Sequence, residues 1–294
     1  AGHDGSKTLS SVAQREGIEL PVRWTQRLVA ELKRERAKQE RERIDAARVS
    51  QHMRARDALW SCDESFLGRD EHGEARGLLV RECCTPTTLW LSIGPPATAS
   101  ELVGALQNAA AERGAWPMVI AFDNGAANRS AEVARLLEEQ QVVALFNLPR
   151  TPQHNPFVER EWGDLKRAAR LEHVLDGVPR ASYVDGGAWR AALRERLDAA
   201  RVALKRTPRA RLGGSTPDEI DERAPRAEDL TCRARFHHEV CAALARIADL
   251  PLKRRARRLA EREAIFHALE EHGLLYRTRG NGRLSRPSKR KGLV

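Results

Sequence analysis

A short apolar segment that ends on an acid is the feature that most constrains this chain. Met118 to Phe122 has the composition of a buried strand, and it stops at Asp123-Asn124-Gly125, a turn sequence. A loop rich in proline and polar residues then leads to Glu159, in the first turn of a predicted helix. Thirty-five residues lie between the two acids. The segment thus combines a strand that ends on an acid with a helix that begins with one.

The order of the elements around this segment predicts a mixed sheet. Strands are predicted at 60–67, 77–83, 87–93, 118–122 and 142–146, and helices at 98–113, 130–140 and about 158–173. Three strands in succession, followed by two strand–helix–strand crossovers, indicate an α/β fold with an antiparallel start. In this order the first and fourth strands can be neighbours. A third acid, Asp63 in Trp60-Ser61-Cys62-Asp63, would then approach Asp123, and a helix across the strand ends would add Glu159.

Three convergent carboxylates are typical of a Mg²⁺ site, because Mg²⁺ prefers oxygen ligands and keeps several waters. Two such ions can activate a nucleophile and stabilise the leaving oxygen of a phosphodiester. Each acid alone has a simpler explanation, as an edge residue, a turn residue or a helix-dipole partner. Lys166, two helical turns after Glu159, either meets a phosphate or is a surface lysine.

Three further acids compete for the site, namely Glu64, Glu161 and Asp164. Glu64 is expected on the opposite side of the strand from Asp63, and Glu161 is rotated away from Glu159 on the helix. The loop-to-helix pattern selects Glu159.

Charge is distributed unevenly along the 294 residues. The net charge of +10 divides into +4 over residues 1–59, −5 over 60–180 and +11 over 181–294. An acidic centre between basic flanks suits a metal-dependent enzyme that acts on a polyanion, although salt-bridged, solvated helices would give the same count. No apolar run is long enough to span a membrane and no secretory signal is present, and five cysteines without a C-x-x-C spacing favour a reducing compartment. A start at Ala1 rather than Met indicates a fragment.

Four segments are predicted. Residues 1–32 are a helix-turn-helix-like segment or an ordinary helical hairpin, 33–57 a charged linker helix, 58–207 the catalytic core, and 208–294 a basic, mainly helical region. Near the end, Asn281-Gly282 between two short runs predicts a hairpin. As the wing of a winged helix, this hairpin would bring Arg277, Arg279 and Arg283 to DNA. The alternative is a frayed basic tail.

The motifs together resemble the catalytic core of the DDE integrase and transposase superfamily. The similarity rests on Trp60-Ser61-Cys62-Asp63, on Phe122-Asp123-Asn124-Gly125 and on the segment from Pro152 to Lys166. It implies a ribonuclease H-like core with a five-stranded mixed sheet, flanked by helical DNA-binding segments. It also implies that Asp63, Asp123 and Glu159 hold two Mg²⁺ (or Mn²⁺) ions for DNA end cleavage and strand transfer, with Lys166 and Asn155 contacting DNA.

The sequence departs from the family pattern at several places. Ser65 stands where many members have Thr, Glu82-Cys83-Cys84-Thr85 replaces an Asp-containing strand end, and no HHCC zinc module precedes the core. These departures place the chain nearer bacterial insertion-sequence transposases than retroviral enzymes. The resemblance implies a homo-oligomer on double-stranded DNA, in the bacterial cytoplasm with the nucleoid. Two alternatives stay open, a non-catalytic DNA-binding regulator or target selector and a ribonuclease H-type hydrolase.

Overall fold

The computed structural model describes residues 6–19, 21–47, 49–148, 156–169, 171 and 186–279. The chain divides into two compact units, one formed by Ala1–Gln51 with Arg277–Val294 and the other by His52–Tyr276. Among the described residues, no helix combines the length and the apolar character needed to cross a bilayer.

After the first strands of the main sheet, strands and helices alternate as far as the helix that begins at Pro156, and among the described residues only helices follow until the last strand. The strands are β1 (Val49–Met53), β2 (Leu59–Asp70), β3 (Gly73–Glu82), β4 (Thr88–Gly94), β5 (Val119–Phe122), β6 (Val143–Phe146) and β7 (Leu275–Arg279). The helices are α1 (Ser6–Arg15), α2 (Val22–Ala47), α3 (Ala99–Arg113), α4 (Ala131–Glu139), α5 (Pro156–Ala168), α6 (Gly186–Lys205), α7 (Pro217–Arg223), α8 (Ala227–Leu230), α9 (Arg233–Ala248) and α10 (Arg254–Glu271).

Five strands form one mixed sheet in the order β4-β3-β2-β5-β6. The pairs β2–β3 and β3–β4 are antiparallel, whereas β2–β5 and β5–β6 are parallel. The first and fourth predicted strands, β2 and β5, are therefore neighbours, as the sequence predicted. The predicted α/β fold with a five-stranded mixed sheet is confirmed.

Helices cover both faces of this sheet because alternate strand residues point to opposite sides. On one face, Trp60 and Val80 pack with Leu106 of α3 and Val133 of α4. A second cluster buries the other face beneath α5 and α6; its members include Leu67, Leu79, Val158, Trp162, Leu165 and Leu197. A third cluster joins β5 and β6 to α9 and α10, through residues such as Val119, Val143, Phe236, Ile265 and Phe266.

A glycine in β3 allows α5 to lie close to the sheet. A Cβ atom at Gly77 would overlap the ring of Trp162, a buried residue of α5. Any larger side chain at this position would push the helix away from the strand and would displace the residues that it carries. Gly77 therefore helps to fix the position of Glu159, which lies one turn before Trp162.

Helix starts are set by side-chain caps that the sequence made visible. Thr98 caps α3 and Thr216 caps α7, each in a capping box with a glutamate three residues later, while Ser130 caps α4. Pro217 is the first residue of α7.

Three secondary-structure predictions were wrong. Residues 49–53 were predicted to continue the charged helix, but they form β1, which joins β7 in a two-stranded sheet. The second predicted N-terminal helix and the charged helix are one continuous helix, α2. Helix α5 ends at Ala168 rather than near residue 173. The predicted Asn281-Gly282 turn lies outside the described residues.

Candidate active site

Asp63 and Asp123 lie next to each other, where β5 ends beside β2, because these two strands are parallel neighbours. The last paired residues of β2 and β5 are Ser61 and Ala121, which share a register position. Two residues further along each strand come Asp63 and Asp123. Two chain segments that are 60 residues apart in sequence thus present their acids side by side, where β5 ends and its backbone turns away from the sheet.

Helix α5 supplies the third acid. Val158, Trp162 and Leu165 recur at helical spacing and are buried against β2 and β3. Glu159 follows the first of these residues in the first turn of the helix, and its side chain is exposed. The apolar face of α5 therefore holds the helix against the sheet. Glu159 lies beside that face and exposes its carboxylate to solvent.

The three acids influence one another electrostatically. Burial, followed by the nearby charges of Asp123 and Glu159, raises the pKa of Asp63 to about 7. Partial burial also raises the pKa of Glu159. Across the ranges that the structure describes, none of the three carboxylates forms an ion pair with Lys or Arg. Negative charge therefore accumulates here without a fixed cation to neutralise it.

Asp123 is held by its own turn. Its Oδ1 atom accepts a hydrogen bond from Gly125 N at 2.8 Å and a short one from Asn128 Nδ2. Within the described part of the chain, no three His, Cys, Asp or Glu side chains converge closely enough to hold a metal ion. The donor chemistry nevertheless fits Mg²⁺, which is commonly bound by one or two carboxylates together with water and substrate phosphate oxygens.

The competing acids have structural partners instead. Glu161 is buried, and its carboxylate lies 3.3 Å from both Arg81 Nε and Arg209 Nη1. Glu64 accepts a hydrogen bond from Ala97 N at 2.6 Å. Asp164 forms a short ion pair with Arg167, three residues later on α5. Of the two glutamates in this turn of α5, Glu159 is the one whose charge raises the pKa of Asp63.

Lys166 lies near Asp63 but is directed at the strand. Its Nζ atom donates hydrogen bonds to Ser65 Oγ at 2.7 Å and to the carbonyl oxygen of Phe66 at 3.2 Å. Burial lowers its pKa, whereas the charge of Asp63 raises it. The hydroxyl group of Ser65, at a position where many members of the resembled superfamily have Thr, thus accepts a hydrogen bond from Lys166.

An arginine cluster beside Asp123 was missed by the sequence analysis. Asn124 Oδ1 accepts hydrogen bonds from Arg129 Nη2 at 2.7 Å and from Arg258 Nη1 at 2.8 Å. Arg258 belongs to α10, 134 residues further along the chain. The basic residues of α10 were visible in the sequence, but no local signal indicates that they return to the end of β5.

The remaining predicted DNA contacts are described only in part. Asn155 and Arg283 lie outside the described residues. Arg277 and Arg279 lie in β7, where Arg277 is partly buried and the side chain of Arg279 is outside the described set. These four residues stay predictions.

The likeness to solved structures is with integrases. A chain of the cryo-EM structure of the simian T-cell lymphotropic virus intasome, in complex with the PP2A regulatory subunit B56 gamma, is 17% identical with a TM-score of 0.46, and the match covers 58% of this chain and 56% of that one. The catalytic core domain of BIV integrase is 19% identical with a TM-score of 0.41, over 57% of this chain and 95% of that chain. The catalytic core domain of HTLV-2 integrase, a structure in complex with magnesium, is 18% identical with a TM-score of 0.42, over 57% and 97%.

No protein-family model and no curated protein matches the sequence. This chain spans just over half the length of the matched intasome chain. The BIV and HTLV-2 structures that it resembles are integrase catalytic cores.

Proposed function

We propose that this protein is a DDE-type polynucleotidyl transferase, a transposase or integrase that cuts and joins DNA in the transposition of a mobile element. The observation that carries the proposal is the placement of Asp63 and Asp123 at matched positions of parallel strands, with the pKa of Asp63 raised by burial and by the two other acids. Acids that repel each other at a sheet edge suit a site that binds cations.

Asp63, Asp123 and Glu159 would hold Mg²⁺ or Mn²⁺, two ions per site. When bound, such ions supply Lewis-acid stabilisation of the charge on the attacked phosphate and a nucleophile at neutral pH. The hydrogen bonds of Gly125 and Asn128 to Asp123 leave its second oxygen, Oδ2, available to a ligand. Lys166 ties α5 to β2 through Ser65, which keeps the helix that carries Glu159 in place.

The proposed reaction has two phosphodiester steps. Water attacks a phosphodiester at the element end, and the bond to the 3′ oxygen breaks to free a 3′-hydroxyl group. That hydroxyl then attacks a phosphodiester of the target DNA, whose own 3′ oxygen leaves. The substrates are accordingly double-stranded element ends and target DNA. We propose that the protein acts as a homo-oligomer on DNA. Its expected location is the bacterial cytoplasm, with the nucleoid.

The experiment that tests this proposal is a cleavage and strand-transfer assay on the element's own end sequence. Wild-type protein is expected to nick and join DNA with Mg²⁺ or Mn²⁺ and to do neither in EDTA. Asp123→Asn should lose both activities. Glu139→Gln, which neutralises an exposed acid at the end of α4, is the matched control and should keep them.

The alternatives give different results in the same assay. Equal cleavage by wild type and Asp123→Asn would remove the catalytic role of the acids. Tight DNA binding without any metal-dependent cutting would indicate a regulator or target selector. Cleavage confined to the RNA strand of hybrids would indicate a ribonuclease H-type hydrolase.

A further inference from the structure

Two guanidinium groups share one neutral oxygen next to the candidate active site. Asn124 directly follows Asp123, and its Oδ1 atom receives both Arg129 and Arg258. Its amide nitrogen donates to the carbonyl oxygen of Asn147, at the end of β6. Arg262, one helical turn after Arg258, donates in turn to Asn147 Oδ1 at 3.1 Å. The carboxamides orient the arginines but neutralise none of their charge.

The positive charge of the cluster is only partly offset by nearby acids. Burial and the positive charges of Arg258 and Arg254 lower the pKa of Arg129, and the charges of Glu261 and Asp123 oppose this effect. Considering the described residues alone, Arg129, Arg254 and Arg258 form no ion pair with Asp or Glu. Like charges that are held close together without an ion-paired carboxylate are stabilised by an external anion, and the planar guanidinium group is suited to phosphate oxygens.

We infer that Arg129, Arg254 and Arg258 form a binding site for the phosphodiester backbone of the DNA strand that enters at Asp123. Asp123 precedes Asn124 in the chain, so a backbone held by these arginines passes beside the acid. The inference rests on the proposed function and deepens it, because it names the residues that position the substrate. It also gives α10 a role in the active site that the catalytic core segment alone does not supply.

A purely structural role for these contacts makes a different prediction. If Arg258 only fastens α10 to the turn after β5, its replacement lowers the melting temperature, and the salt dependence of DNA binding stays unchanged. A phosphate contact behaves in the opposite way. Each lost contact reduces the magnitude of the slope of log K against log salt concentration by about 0.9, which corresponds to roughly eightfold weaker binding at 0.1 M salt.

The test is fluorescence anisotropy on a labelled 30-base-pair duplex in EDTA at several salt concentrations, so that binding is measured without cleavage. Arg129→Ala and Arg254→Ala both change exposed side chains, and the affinity of each variant is expected to fall roughly eightfold at 0.1 M salt. Arg258→Gln extends the series to the residue that anchors α10. Arg235→Ala is the matched control, since this exposed arginine of α9 pairs with Glu239 at 2.8 Å.

The inference holds if Arg129→Ala and Arg254→Ala lose affinity and salt slope while Arg235→Ala does not. Unchanged binding by both variants would overturn it. Affinity that falls with no change in slope, or that falls equally in the control, would overturn it as well. A failure of the proposed function is separate, because wild-type protein would then show no metal-dependent nicking whatever the anisotropy series shows.

Discussion

Two sets of acids in the same unit have opposite surroundings. Glu161, Asp57 and Asp221 are paired with arginines, through Arg81 and Arg209 in one case and through Arg113 in the others. Asp63, Asp123 and Glu159 sit at a sheet edge, and no arginine or lysine pairs with them among the described residues. Lys166, whose charge interacts with that of Asp63, is hydrogen-bonded to Ser65 and to the Phe66 carbonyl instead.

The difference separates acids whose removal is expected to destabilise the fold from acids whose removal is not. Loss of one partner from a buried carboxylate–guanidinium pair is strongly destabilising because the other group is left charged and unpaired. A carboxylate that is desolvated and repelled by its neighbours costs folding free energy, and such a cost persists at sites that bind ligands. The contrast can be tested by neutralising one acid at a time.

The largest effect is expected at Glu161. Glu161→Gln would leave Arg81, whose side chain is 1% exposed, without its carboxylate partner. We expect the free energy of unfolding to fall by about 3–5 kcal/mol. Urea unfolding followed by circular dichroism measures this change, and a loss below about 1 kcal/mol would show that the pairing is not what stabilises this acid.

Arg113 is the next test. It donates to Asp57 Oδ1 and to both oxygens of Asp221, which joins α7 to the end of α3. Arg113→Met should lower the free energy of unfolding by about 3 kcal/mol. The double variant Arg113→Met/Asp221→Asn should lose less than the two single losses added together, since the pair is coupled. Simple additivity in the double-mutant cycle would contradict the pairing.

Glu82 is a further buried acid, and the pH dependence of stability tests its surroundings. Burial raises its pKa from 4.5 to about 7, although Thr85 and the backbone N–H of Cys84 donate to its carboxylate. The stability contributed by this raised pKa is fully present below pH 4.5 and is lost as pH rises through about 7. The free energy of unfolding should therefore fall by about 2–3 kcal/mol between about pH 5 and pH 8. Glu82→Gln should flatten that decline; an unchanged decline would refute the assignment.

Asp63 should show the smallest effect on stability, and with the opposite sign. Asp63→Asn removes a carboxylate that is desolvated and repelled by Asp123. In metal-free buffer at pH 8 the variant is expected to be more stable than wild type by about 1 kcal/mol. Differential scanning calorimetry in EDTA would detect the higher melting temperature. A lower melting temperature would indicate that the Asp63 carboxylate stabilises the fold.

Much of this arrangement could be predicted from local sequence. Strand β5 was predicted within one residue because an apolar run ends at Asp-Asn-Gly, and α3 was bounded by the Thr98 cap and by Gly114. The loop-to-helix pattern selected Glu159 over Glu161, which helical phase rotates away from it, and in the structure the Glu161 carboxylate lies 3.3 Å from Arg81 Nε and from Arg209 Nη1. Periodicity and caps are local properties, so a sequence displays them directly.

Other features depend on contacts between distant segments and could not be predicted. Residues 49–53 read as helix because their partner, β7, lies more than 220 residues away. The hydrogen bond from Arg258 to Asn124 depends on how α9 and α10 return to the edge of the sheet. The hydrogen bond from Lys166 to Ser65 likewise depends on the packing of α5 across β2. Pattern alone identifies the acids but not the cations that surround them.

The most direct test of the account compares two glutamates of one helical turn. Glu159→Gln and Glu161→Gln make the same chemical change two residues apart, and each variant is measured for Mg²⁺-dependent DNA cleavage and for melting temperature. The account predicts that Glu159→Gln loses cleavage by at least about a hundredfold, with its melting temperature kept. Glu161→Gln should instead lose several degrees in melting temperature. Cleavage by Glu159→Gln at the wild-type rate would contradict the assignment of Asp63, Asp123 and Glu159 to catalysis.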